Sequence, residues 1–162
     1  MARVLIVGCG CRGRELAAAL AADGHAVRGT TRDPGNVRAI GEARAEAALA
    51  DPDRLDTLLP HLAGVSVMCW LMGTATGPEE DMEALHGPRL TSIAAKLVDS
   101  HVHGLVYEAA GTLRAELFAE GARSVRQIAE ENRVPLEVVE EDPAQPELWA
   151  PAMRAAVERV LA

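Results

Sequence analysis

Short apolar runs alternate with longer stretches of helical period along the chain. Val4, Leu5, Ile6 and Val7 form an apolar run that stops at Gly8, as a strand buried on both faces does. Over residues 13–22, Leu16 and Leu20 fall four apart among alanines, and Gly24 stands where a helix-ending glycine belongs. A second strand is expected over residues 26–31. Asp33 and Pro34 then supply an N-cap and a first-turn proline for a short helix to Ile40. Residues 44–49 read as an alanine-rich third strand. Asp51 and Pro52 open a helix in which Leu55, Leu58, Leu59 and Leu62 make one stripe. The most hydrophobic strand covers residues 65–72 and ends at Gly73. A loop to Pro78 leads into helix from Glu79, which breaks at Gly87 and Pro88 and resumes through Leu90, Ile93, Ala94, Leu97 and Val98. Leu105, Val106 and Tyr107 make a fifth strand, closing at Ala109, Ala110 and Gly111. Residues 114–132 follow as a helix with Leu117, Val125 and Ile128 inward, then a sixth strand over 136–139 and a last helix over 148–161.

Strands and helical segments in strict alternation imply a parallel sheet, because a parallel return needs a crossover connection. The expected architecture is α/β: a doubly wound six-stranded parallel sheet of order 3-2-1-4-5-6 with helices on both faces, forming one domain over residues 1–162. At 49% hydrophobic and 25% charged, the chain has the material for such a core. Only 2% of residues are aromatic, so that core is expected to be mainly aliphatic.

Charge narrows the partners. A net charge of −8 with singly scattered basic residues is the opposite of the basic stripe that displaces counterions from nucleic acid, so no nucleic-acid partner is expected. No apolar run approaches the roughly 20 residues of a membrane span, and Met1-Ala2-Arg3 leads straight into a strand without signal-peptide architecture. Three cysteines do not make a disulfide framework and fit a reducing, cytoplasmic setting.

Candidate chemistry concentrates at the first turn. Gly8-Cys9-Gly10-Cys11-Arg12-Gly13 matches G-x-G-x-x-G, directly after a strand and at the opening of a helix, which is the context that gives the pattern meaning. Gly8 permits the tight turn, Gly10 the approach of backbone to a diphosphate, and Gly13 close packing of helix on sheet. Free N–H groups at the helix start then favour an anion. The chain is therefore expected to bind a dinucleotide. An NAD site usually carries a carboxylate about 20 residues on for the ribose 2′-OH. Thr30, Thr31 and Arg32 stand there instead, and Arg32 would pair with a 2′-phosphate, so NADP is expected in preference to NAD. Asp33, placed before Pro34, reads as a helix cap.

The run from Val4 through Gly10, with Gly24-His25-Ala26-Val27-Arg28-Gly29-Thr30-Thr31-Arg32-Asp33-Pro34, resembles the opening of the NAD(P)-dependent epimerase/dehydratase and NmrA-like branches of the short-chain dehydrogenase/reductase superfamily. The similarity extends more loosely to Gly104-Leu105-Val106-Tyr107-Glu108-Ala109-Ala110-Gly111. It implies a Rossmann domain with cofactor contacts at Gly8, Gly10, Cys11, Arg12, Gly13 and Arg32, and in the loop after the fourth strand at Leu71, Met72, Gly73 and Thr74.

Elsewhere the family pattern is not kept. Its Tyr-x-x-x-Lys pair, in which lysine lowers the tyrosine pKa for proton transfer, has no counterpart: Tyr107 is followed four residues later by Gly111, and the sole lysine, Lys96, precedes it. Relatives carry a serine-rich turn where this chain has Glu108-Ala109-Ala110, and continue into a substrate domain where it has one last helix. Tyr107 and Glu108 are the remaining catalytic candidates, the first better explained as core and the second as a solvent-facing or helix-capping carboxylate. Cys9 and Cys11 read as small fillers, Cys69 as core, and His101 with His103 lacks a third ligand, so no metal site is expected. The expected function is a nucleotide-binding module that senses redox state or docks a partner. The alternative is a small oxidoreductase acting on a flavin, quinone or carbonyl substrate with another proton donor. Small residues such as Ala94, Ala95 and Ala129 would let helices of two copies pair as a homodimer.

Overall fold

Period-two burial in the first strand sets the architecture: Val4 and Ile6 enter one core while Leu5 and Val7 enter another, so both faces of the strand must be covered. A computed structural model, describing residues 1–162, shows how. Strands β1 (Arg3–Val7), β2 (Ala26–Thr31), β3 (Glu46–Leu49), β4 (Val67–Trp70), β5 (Gly104–Glu108) and β6 (Leu136–Val139) form one parallel sheet in the order β3-β2-β1-β4-β5-β6. Helices α1 (Cys11–Ala22), α2 (Val37–Glu42) and α7 (Pro146–Leu161) cover one face. Helices α3 (Leu55–Leu58), α4 (Glu79–Leu85), α5 (Pro88–Val98) and α6 (Ala115–Asn132) cover the other. The register pairs Val4 with both Val27 and Val67, and Val7 with Trp70, which brings the carboxyl ends of β1, β2 and β4 to one edge.

Several expectations are corrected. The third strand begins at Glu46 because Arg44 adopts a left-handed φ of 66° to end the preceding helical turn. The leucine stripe after Pro52 is broken by Pro60: α3 lasts one turn and tightens into a 3₁₀ turn over Leu59–Leu62, leaving Leu58 buried and Leu59 exposed. The fourth strand is trimmed to Val67–Trp70, since the Val65 N–H is bonded back to Leu62 O in the turn before it. The last helix starts earlier, at Pro146, a residue suited to the first helical position. Aromatic residues matter more than their number suggests, because Trp70, Trp149 and Tyr107 are the largest fully buried side chains. Ala94 and Ala129 face inward around α5 and α6, which leaves Ala95 alone of the three exposed. No helix is long and apolar enough to cross a membrane.

Candidate functional site

The glycine loop is shaped by what a side chain would strike. Gly8 has φ 89°, and a Cβ there would fall on Leu71 O and the Met72 methyl. A Cβ on Gly13 would lie 2.9 Å from Gly8 O, so α1 packs directly over the turn. Gly10, the extended N-cap of α1, has open space where its Cβ would be. A fourth glycine, missed in the sequence pattern, belongs to the same arrangement: a Cβ on Gly29 would meet Cys9 Sγ at 2.6 Å, so the buried Cys9 thiol seats the loop on β2.

Backbone bonding leaves the helix start open. Gly8 N–H donates to Thr30 Oγ1 at 3.2 Å and Cys9 N–H to Thr30 O at 2.9 Å, while Gly10 N–H turns back to Gly8 O at 2.9 Å. The first bond into the helix is Arg14 N–H to Gly10 O at 2.8 Å. The amides of Cys11, Arg12 and Gly13 therefore have no intrahelical acceptor. No side chain caps this end and no acidic residue stands in its first turn. By contrast, the turn after β2 is capped in the usual way, with Asp33 Oδ1 accepting from Gly35 N–H at 2.8 Å.

A crevice of about 200 Å³ opens at this point, between the carboxyl ends of β1, β2 and β4. Its walls include Gly8, Cys9 and Gly10, then Thr30, Thr31, Arg32 and Asn36, then Leu71, Met72 and Thr74, with Ala50, Pro52 and Leu85 beside them. A recess of about 80 Å³ shares Gly8, Gly10, Leu71 and Thr74 and adds Cys11, Arg12, Gly13 and Glu108. These two spaces gather every residue expected at the cofactor except Gly73. That glycine is packed against Gly111, backbone to backbone, and its carbonyl accepts from Thr112 N–H at 3.0 Å. Beyond this contact a wider groove of about 860 Å³ runs between α6 and the segment after β6.

Not every side chain at the crevice points into it. Arg12 Nε donates to Pro143 O at 2.8 Å, and its guanidinium also pairs with Glu15, which fastens the glycine loop to the segment after β6. Thr31 Oγ1 donates to Asp33 O at 3.2 Å, so its proton is spent locally. Arg32 is the weakly paired cation: its side chain is 52% exposed and its carboxylate partner, Asp53, is 3.9 Å away and shared with Arg89. Burial, together with the charges of Asp51 and Asp81, pushes the Asp53 carboxyl above its ordinary value.

Glu108 overturns the expectation of a solvent-facing or helix-capping carboxylate. It is the last residue of β5 and only 2% exposed. Oε1 accepts from Gly73 N–H at 3.0 Å and Oε2 from Trp149 Nε1–H at 2.8 Å, tying the β4 loop to α7. Burial outweighs both bonds and raises the carboxyl to about 7.

Proteins of known structure share this fold. Sequence comparison finds no matching family model and no matching curated protein. Structural comparison does find relatives. A Bacillus halodurans protein assigned as an NAD-dependent epimerase/dehydratase superposes with a TM-score of 0.72 at 14% identity, over 88% of this chain and 71% of its own. A short-chain dehydrogenase/reductase superfamily protein from Agrobacterium tumefaciens with bound NAD gives 0.67 at 17%, over 84% and 48%. The Citrobacter triphenylmethane reductase complexed with NADP(H) gives 0.61 at 17%, over 84% and 48%. The fold is a Rossmann-like fold, shared with these proteins. At such identities the likeness is one of fold, and the chain spans about half the length of most of the structures it matches.

Within this Rossmann fold one buried pair had no signal in the sequence. Tyr107 is fully buried, as its place in the strand suggests, and its O–H donates to His86 Nδ1 at 2.7 Å. His86 Nε2–H then donates to Met72 O at 3.0 Å, which fixes the neutral tautomer and the β4 loop together. Burial lowers the His86 pKa and raises that of Tyr107. Lys96 is exposed on α5. Tyr107→Phe is expected to leave His86 Nδ1 without its donor and to cost about 1–2 kcal/mol of stability in denaturant unfolding. Unchanged stability would mean the bond contributes nothing to the fold.

Proposed function

We propose that the chain binds a nicotinamide dinucleotide, NADP(H) in preference to NAD(H), and acts as a nucleotide-binding module that senses redox state or docks a partner. The observation that carries this reading is the uncapped start of α1, where Cys11, Arg12 and Gly13, whose amides lack an intrahelical acceptor, wall the recess at the point where the strand order reverses. Gly10 leaves room there for a diphosphate to approach the backbone, so the residues present fit the group. Gly8, Gly10, Cys11, Arg12 and Gly13 would surround the diphosphate, Thr30, Thr31 and Arg32 the adenosine ribose, and Leu71, Met72 and Thr74 the other half, with Gly73 behind them holding the loop in place. When bound, the dinucleotide supplies hydride-transfer chemistry. This chain's own contribution is to hold and orient it.

Calorimetric titration with NADPH and NADH tests the reading, and failure of both to bind overturns it. Preference rests on Arg32, which has only a distant, shared carboxylate to leave. Arg32→Ala is expected to weaken NADPH by about 10- to 100-fold, as loss of a charge-assisted bond would, and to leave NADH within about twofold. An NADPH preference unaltered by the substitution would remove Arg32 from the site.

A small oxidoreductase is the second reading, and Glu108 favours it, as a carboxyl group near neutrality in the wall of the recess. Against it, the Tyr107 hydroxyl is enclosed and bonded to His86. The module reading expects no NADPH oxidation with carbonyls, quinones or flavins. Turnover lost in Glu108→Gln would favour the enzyme instead.

A further inference from the structure

Glu108 stands in an unusual place for an acid. It helps wall the same recess as Gly8, Gly10, Cys11, Gly13 and Thr74, the recess whose glycine-loop amides would cradle a diphosphate. Ionised, it would confront that diphosphate with a like charge in a confined space. Its geometry also matters: both oxygens already accept, from Gly73 N–H and Trp149 Nε1–H, so the carboxylate has nothing to offer an anion. The neutral acid keeps an acceptor for each of those donors and adds one O–H. Building on the dinucleotide reading above, we propose that Glu108 meets the ligand as a neutral acid: binding draws one proton from solvent onto its carboxylate, and the resulting O–H donates to a diphosphate oxygen.

The surroundings single out Glu108 for this role. Its own carboxyl lies at about 7, raised by burial and by the Asp142 carboxylate after β6, and lowered by the Gly73 and Trp149 bonds. Cys69 on β4 is pushed up to about 12 by burial, and Tyr107 on β5 is raised as well, so both stay neutral. From the glycine loop, Cys11 is exposed, and Arg12 directs its guanidinium to Pro143 O and Glu15. Helix α7 presents Trp149, which carries no charge. His86, behind Tyr107, is held neutral by burial.

Proton uptake is the direct readout. NADPH is titrated into the protein at pH 8 in two buffers of different ionisation enthalpy, where a phosphate with a second pKa of about 6 is already ionised. Uptake approaching one proton per ligand is expected. Above pH 7, where the 2′-phosphate no longer titrates, affinity should fall by up to tenfold per pH unit, the slope of a single linked proton. Glu108→Gln should remove both the uptake and the slope. Trp149→Phe takes away a bond that favours the carboxylate, so the onset of weakening should move to higher pH, whereas a merely loosened pocket would bind less well at every pH. NADPH binding at pH 8 without uptake, or uptake that persists in Glu108→Gln, overturns the proposal. No NADPH binding at any pH brings down the dinucleotide reading itself, and this inference with it.

Discussion

Gly10→Ala is expected to keep its stability and bind the ligand weakly, while Gly8→Ala loses stability as well. A methyl at Gly10 meets nothing within 4 Å, and the residue's φ of −80° suits any amino acid. Its melting temperature should therefore stay within a degree or two of the parent. The same methyl fills the space a diphosphate would occupy, so dinucleotide affinity should drop at least tenfold. Gly8 is different, because φ 89° and the carbonyl of Leu71 both oppose a side chain. The strained backbone and the overpacking together should cost about 2–4 kcal/mol. Denaturant unfolding and calorimetry on the two variants separate these effects. Parent-like affinity in Gly10→Ala would show that no diphosphate rests on this loop.

The second large effect is on stability against pH. Glu108 has a folded pKa of about 7 against a reference value of 4.5. Between those values the folded protein holds a proton that the unfolded chain releases, so stability falls as pH rises through this window and levels off above 7. The group's contribution should change by roughly 3 kcal/mol across it. Urea unfolding of the parent and of Glu108→Gln at several pH values between 4.5 and 8 checks this. The glutamine amide brings one donor too many to Gly73 N–H and Trp149 Nε1–H, which sets a constant offset, so only the slope of the difference is diagnostic. A difference independent of pH would mean that Glu108 titrates like an exposed carboxylate.

How much of this was legible in the chain depends on how local each signal is. The apolar run ending at Gly8 and the glycine spacing to Gly13 lie within one strand and one turn; alternation implied the parallel sheet, and reading the glycine turn as that of a doubly wound domain gave its order. Asp33 before Pro34 likewise announced its cap. What could not be read comes from contacts distant in sequence. Glu108 is enclosed by partners 35 and 41 residues away, and nothing in Glu108-Ala109-Ala110 distinguishes that burial from an exposed turn. His86 owes its role to Tyr107, 21 residues on, and Gly29 owes its conformational necessity to a cysteine in another element. Pro60 was visible but its weight was missed, since the leucine spacing favoured a continuous helix that the proline does not permit.

Gly73 and Gly111 touch through their main chains, and Thr112 is bonded across the same seam. Two rims that would otherwise swing separately are thus welded into one piece, itself bolted to Glu108 through the Gly73 amide. Widening the mouth on that side requires both rims to lift together and the bolt to come free. The exposed residues Thr74, Thr76, Gly77 and Pro78 lie outside the weld. On that side the aperture is held at one width by main-chain contact, and any visitor would have to match its dimensions.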